Sequence, residues 1–446
     1  VSRAISLPTC LLPAFFLFSV GAVLRPPLLA SDEPRLVEVG FEQRVRSENW
    51  NNIFDFSDLA DDQRNQVRYR TRLWTSIPLS RKITLATGLN QETNQVIVQR
   101  QPYRFDEVIF ETAYLDIHDL FVQGLSLRVG RQNLMRGEGA LLFEGDAWDG
   151  SRTIYTNSAV LTYARRRAKF EVIGILDPSR DRFLPRIHDR RRLLTEWDEQ
   201  ALGSYVTLQP WKSTDLETYY FYKKEIHDTR SPSHPQFQPD RHVNTAGARL
   251  VRRFSKGWTG AGEGAWQWGA DHAKKDIRAW FGYAHLRKEF QTATKPYLEV
   301  GYWDFSGDDP RTNGRIEGWD PIFARWPKWS ELYIYSQLKE KGVGYWTNKG
   351  MWQMEAGFSP WKPIQWRFTY YRMGAHHPFP ADPRIFGAGT NRGDMVQSRL
   401  DFTINPNWKG HVLYEALAPG DFYRVGSLAY FLRFELIYTF KHHFRL

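Results

Sequence analysis

The sequence predicts an all-β chain: a transmembrane antiparallel β-barrel of about eighteen strands, with short periplasmic turns and long extracellular loops. Three observations lead there. Segments of about ten residues alternate apolar with polar or charged side chains, the period of two that sorts each set onto its own face of a strand. Connections between segments alternate short and long, which a soluble sandwich has no reason to do and an outer-membrane barrel does. The 446 residues are 15% aromatic, with 18 Trp and 21 Tyr, yet beyond the N-terminal segment no apolar run is long enough for a membrane helix. That aromatic excess suits interfacial girdles, where one end of a ring is apolar and the other wet.

Residues 1–30 read as a secretory signal, with Arg3 as a short basic region, an apolar stretch over 11–24, and Leu28-Leu29-Ala30 ahead of Ser31. Leu7-Pro8-Thr9-Cys10 is a poor lipobox because little hydrophobic sequence precedes it. Cys10 is the only cysteine, so residues 31–446 contain none and neither disulfides nor thiolate metal sites are expected there. With no linker or shift in composition, residues 31–446 read as a single barrel domain. The formal charge of +10 comes from 60 basic and 50 acidic residues that are interleaved, without a long basic tract, so nucleic acid is not an expected partner.

The first segment sets Val37, Val39, Phe41 and Val45 against Glu38, Glu42, Arg44 and Arg46. After a polar stretch, Val67, Tyr69, Thr71 and Leu73 oppose Arg68, Arg70 and Arg72; a tight turn over 78–81 then leads to Lys82 and Ile83, Leu85, Thr87 and Leu89. Next, Val108, Phe110, Thr112 and Tyr114 oppose Glu107 and Glu111. Leu125, Leu127 and Val129 precede a Gly/Asp-rich loop, and strand-like pieces recur to a long loop over 304–350, with local structure expected near Leu332 to Tyr335. The last segments are the clearest: apolar sets oppose Arg367, then Arg399 and Asp401, then Arg433 and Glu435.

On this parity Arg44, Arg46, Arg68, Arg70, Arg72 and Lys82 form a basic wall inside the barrel. Arg367, Arg399 and Arg433 approach it from the C-terminal side, because closure sets the last strand beside the first. Guanidinium groups stay charged and bind carboxylates bidentately, so a polyanion would find a ladder of sites there. Glu38, Glu42, Glu107, Glu111, Asp401 and Glu435 face the same lumen and would hold the arginines in place while keeping transit weak. A wall that is only stiffened by such pairs is the alternative.

Signatures of chemistry are lacking: there is no Walker loop, no Gly-x-Ser-x-Gly elbow and no His-Glu-x-x-His. Adjacent His376-His377 and His442-His443 point to opposite faces of a strand and do not suggest a shared metal. Asp304, Asp308 and Asp309 sit in a Gly-containing loop of the kind that can hold Ca²⁺, though acid-rich turns are more often simply solvated. No metal or cofactor is expected, and no enzyme activity.

Leu127-Arg128-Val129-Gly130-Arg131-Gln132, followed by Trp148-Asp149-Gly150, resembles the Gly-Arg-Gln motif and downstream aspartate region of bacterial alginate export proteins. Glu299-Val300-Gly301-Tyr302, Ser306-Gly307-Asp308-Asp309-Pro310, Asp320-Pro321-Ile322-Phe323 and the turn Phe358-Ser359-Pro360 are similar to that family too. The resemblance implies an outer-membrane barrel with an electropositive constriction that passes a uronate polymer outward. It implies Arg128 and Arg131 as further pore-lining groups, and partners among the anionic polysaccharide, periplasmic secretion components, outer-membrane lipid and lipopolysaccharide. Arg131 shares parity with the lipid-facing Leu127 and Val129, so it belongs at the rim unless a bulge turns it inward. Uptake of small anionic solutes, an outer-membrane enzyme and a purely structural barrel are the competing readings.

Overall fold

Eighteen strands close into one antiparallel barrel: β1 (Leu36–Asn51), β2 (Arg64–Pro78), β3 (Ile83–Val96), β4 (Arg104–Ile117), β5 (Leu125–Gln132), β6 (Thr156–Arg165), β7 (Ala168–Asp177), β8 (Asp198–Trp211), β9 (Thr214–Ile226), β10 (Arg241–Arg253), β11 (Trp258–Ala270), β12 (Asp276–Glu289), β13 (Tyr297–Phe305), β14 (Lys349–Phe358), β15 (Ile364–Gly374), β16 (Asn391–Asn405), β17 (Trp408–Pro419) and β18 (Ala429–Arg445). The computed structural model describes residues 36–59, 62–98, 100–101, 103–144, 155–185, 195, 197–227, 240–379 and 381–445. The expected signal segment and Trp148-Asp149-Gly150 lie outside them.

Each strand pairs with the next, and β1 pairs with β18 from Leu36↔Arg445 to Asn51↔Tyr430, so no sheet edge is left to satisfy. Connections from even to odd strands are short, from two residues between β6 and β7 to seven between β4 and β5. Those from odd to even strands run up to 43 residues between β13 and β14, with two exceptions, the five-residue turn from β11 to β12 and the seven-residue connection from β3 to β4. The short turns mark the periplasmic end.

Alternation along the strands behaves as the period of two requires. On β1, Val39 and Val45 are exposed on the outer face while Arg44 and Arg46 are buried on the inner one. One segment departs from the expected parity. The β3–β4 register slips between Gly88↔Thr112 and Leu89↔Phe110, which makes Glu111 an extra residue in β4. The bulge moves Tyr114 from the expected lipid face to the inside, where the Arg128 guanidinium lies over its ring at 4.7 Å.

The barrel's apolar core is built by connections folded into the lumen. The β13–β14 connection, here called the strap (residues 306–348), buries Trp319, Ile322, Phe323, Trp329, Leu332, Tyr333 and Trp346, and contains the short helix Tyr333–Ser336 near the expected position. The β5–β6 connection joins it: Leu142 bridges to Phe323 in parallel, and Phe143 stacks on Trp326 with centroids 3.7 Å apart. Tryptophan is therefore divided between two jobs. Trp211, Trp258 and Trp361 stay exposed at the short-turn end, as a girdle requires, whereas Trp303, Trp319, Trp329 and Trp346 are buried inside. The aromatic excess, expected to suit interfacial girdles, thus also supplies this inner core.

Candidate functional site

Six arginines and six carboxylates interlock on the wall formed by β18, β1, β2 and β3 with β4. Strand pairing sets Arg44 directly opposite Arg70 and Arg46 opposite Arg68, like charges that would repel unless acids were placed between them. The acids are there. Arg46 Nε donates to Glu435 at 2.7 Å and Arg70 to Glu42 at 2.7 Å. Arg72 Nε donates to Glu111 at 2.7 Å, and Glu92 receives both Arg68 and Arg44. Arg433 holds Glu48 at 2.7 Å with one terminal nitrogen and Glu331 of the strap at 2.8 Å with the other. Glu48 also accepts from Gln66 at 2.7 Å.

Burial makes this pairing obligatory. Arg44, Arg46, Arg70 and Arg433 are at most 2% exposed, and a charge so enclosed is tolerated only with a close counter-charge and satisfied hydrogen bonds. Arg68 and Arg72 keep 14% of their side chains accessible and form the network's open edge. The network continues towards the short-turn mouth: Arg367 donates to Asp401 at 3.1 Å, Arg399 to Asp401 at 2.9 Å, and Arg399 lies 3.4 Å from His411, whose Nδ1 is 3.2 Å from Glu435. Eight of the expected lumen arginines, with Glu42, Glu111, Asp401 and Glu435, are thus brought together.

Other expected residues sit elsewhere. Lys82 ends the β2–β3 turn, exposed, with Nζ on the Asp119 carbonyl at 3.0 Å; it is a rim residue, because β3 starts only at Ile83. Arg128 faces inward but pairs with Asp116, away from the six-arginine cluster. Glu38 accepts from Trp74 at 2.8 Å and lies near Lys441 and His443 at the mouth. Glu107 is on β4, but its side chain lies outside the described ones. Arg131 is the penultimate residue of β5 at the long-loop end and shares the outward parity of Val129, so it sits at the rim and does not line the pore as the resemblance implied. No register slip turns it, and Asp181 at 2.7 Å, Asn157 at 3.0 Å and the Phe110 carbonyl at 3.0 Å hold it there, buried.

Sequence parity could have shown Glu48 and Glu92, which continue the polar faces of β1 and β3. Glu331 carried no such signal, because the strap has no period. Asp304, Asp308 and Asp309 take separate partners: His376 at 2.7 Å, the backbone N–H of Glu317 at 2.8 Å and Arg311 at 2.7 Å.

A second cluster joins the two inserted connections to the opposite wall. Glu138 of the β5–β6 connection accepts from His285 at 2.9 Å and from Arg249 at 3.3 Å, and lies 3.6 Å from Lys328 of the strap. Burial raises its carboxyl, but the His285 hydrogen bond and the charges of Lys328 and Arg249 outweigh that and hold it at about 2. The Lys328 ammonium sits among Trp303, Trp326 and Trp329, 5.0 to 5.8 Å from the ring centres.

The alginate export family matches residues 36–353. No curated protein matches the sequence. Among solved structures, the Pseudomonas aeruginosa outer membrane protein OpdK, in a crystal structure with vanillate, superposes with a TM-score of 0.58 at 10% identity, over 91% of this chain and 99% of its own. OccK2 (OpdF) of the same organism, in complex with glucuronate, gives 0.58 at 10% identity over 91% and 98%. OccK11 (OpdR) gives 0.56 at 10% identity over 92% and 98%. At such identities the likeness shows the fold alone: an outer-membrane barrel of the porin kind. Family and fold are those of a channel barrel and not of an enzyme class, its place is the outer membrane, and the chain belongs to the alginate export family.

Proposed function

We propose that this barrel exports an anionic, uronate-type polysaccharide from the periplasm through its arginine-lined lumen. The observation that carries the reading is the continuous run of guanidinium groups from accessible Arg367 and Arg399 near the short-turn mouth to Arg68 and Arg72 at the edge of the buried network. Each arginine already has a protein carboxylate. A polymer carboxylate therefore exchanges with a bound one instead of meeting a bare cation, and binding stays weak enough for release at every step. Family membership supports the substrate class and the outward direction.

The network's charge balance sharpens the test. Replacing Arg68 and Arg72 with Ala leaves Glu48, Glu92, Glu42 and Glu111 with fewer cations, so selectivity should pass from anions towards cations, beyond neutral. Reversal potentials in planar bilayers under a salt gradient measure this; an unchanged anion preference overturns the arginine-lined path. A barrel that conducts nothing refutes any transport role.

A second reading, uptake of small anions, has its own support. The strap and the β5–β6 connection meet inside the barrel, which suits solutes smaller than a polymer, and the fold neighbours include structures holding glucuronate and vanillate. A length series of oligouronates separates the two: blocking that strengthens with length supports the polymer path, and blocking confined to monomers supports uptake.

A further inference from the structure

The ends of the barrel differ in charge in a way the lumen network does not explain. Six of the eight short turns expose at least one Lys or Arg. Arg81 and Lys82, then Arg166 and Arg167, come as pairs, Lys212 and Lys256 singly, and the turns after β12 and β14 add one lysine each. Asp119 is the one acidic residue on these turns, and its carboxylate is taken by the Gly124 N–H at 2.7 Å. Taken together the long connections show no such excess, with 22 acidic against 20 basic residues. The strap balances six with six, and residues 52–63 hold four aspartates with neither Lys nor Arg, which offset the six arginines and three acids of the β7–β8 connection.

Because the barrel is closed, the turns encircle the periplasmic mouth, and the cations form a ring around it. The ring leads inward. Lys169 and Arg128 keep 40% and 42% of their side chains accessible just past the mouth, and Arg367 keeps 30%. Cations that served only phospholipid headgroups would stop at the membrane surface and have no reason to continue on the inner face.

We propose that the short-turn face is a capture surface for a polyuronate: a cationic ring that concentrates the polymer at the periplasmic mouth and passes it to Arg128, Lys169 and Arg367. The inference rests on the export reading above. Its physics is long-range steering, which raises on-rates by roughly 10 to 10³ and fades with salt, while the dwell time is set by contacts inside the lumen.

The experiment uses single barrels in planar bilayers and an oligomannuronate of fixed length added to one side. A biotin on Ser80→Cys, read with streptavidin, reports orientation. Blocking events should be about tenfold more frequent from the short-turn side at low salt. Arg166→Gln/Arg167→Gln/Lys212→Gln/Lys256→Gln should remove most of that asymmetry without shortening the blocks, and heat-modifiable gel mobility checks that the variant barrel is folded. Equal frequencies from both sides, or an asymmetry the variant retains, overturn the capture surface and leave the export reading standing. Retained asymmetry with weaker binding to phosphatidylglycerol vesicles assigns the ring to lipid, again overturning it. Absence of blocking from either side removes the export reading and this inference together.

Discussion

Glu415 on β17 is a point at which the strap can be loosened without removing any arginine of the wall or its carboxylate partner. It is fully buried and accepts from the Leu332 N–H at 2.6 Å, the Ser330 hydroxyl at 2.9 Å and the Glu331 N–H at 3.2 Å, so one carboxylate gathers the donors at the start of the strap's short helix. Glu415→Ala strands three strap donors, at about 1–3 kcal/mol each, or on the order of 3–9 kcal/mol together. The strap can turn those donors to water, so the lower end applies. Even there, the docked-to-released ratio of this segment falls about a hundredfold. Arg392–Glu340 and Arg433–Glu331 still hold the strap from Glu331 onward, so only the stretch just before it, around residues 328–330, should loosen. In bilayers the variant should show larger, noisier conductance, and in detergent trypsin should cut at Lys328. Glu415→Gln, which keeps one of the two accepting oxygens and turns an NH2 group towards donors at the other, should lie between the parent and Glu415→Ala. Parental conductance and trypsin resistance in a folded Glu415→Ala barrel would refute the idea that this carboxylate fixes the strap.

Three further outcomes follow from the same geometry. Glu435→Ala leaves Arg46, which is 0% exposed, without its closest carboxylate and should cost about 3–5 kcal/mol in urea unfolding from lipid vesicles. Arg46→Met/Glu435→Met should recover most of that, and a double variant as weak as the single would contradict the desolvation argument. Glu138 is held at about 2, below its ordinary 4.5, so the stability it contributes is complete above pH 4.5 and lost as pH falls from there towards 2. Conductance noise should rise across that acid window in the parent and show less pH dependence there in Glu138→Gln; identical profiles would exclude Glu138 as the anchor. Gly130 has φ +129°, and a Cβ there would meet the Ala113 carbonyl oxygen at 2.2 Å. Gly130→Ala should therefore open the β4–β5 pairing and lower the yield of heat-modifiable barrel, and a parental yield would show that the strand can shift to make room.

What the sequence determined by itself is whatever is local or periodic. The alternation of Arg68, Arg70 and Arg72 with Val67, Tyr69 and Leu73 determines which face of β2 turns inward, and turn lengths determine which end faces the periplasm. Closure then follows from strand count and order, and it is why Arg433 could be expected beside β1.

Only the tertiary structure decided the rest. The wall is charge-balanced because Glu331 arrives from a strap without periodicity, more than a hundred residues before its partner Arg433. Glu111 becomes a bulge through the pairing of β3 with β4, so Tyr114 changes face, an outcome the β4 sequence does not encode alone. Arg131 keeps its rim position because Asp181, from another connection, reaches it. Side-chain parity is set by each residue's own neighbours, whereas the pairing of buried charges and the path of long loops depend on groups far apart in the chain, which only folding brings within a few ångströms.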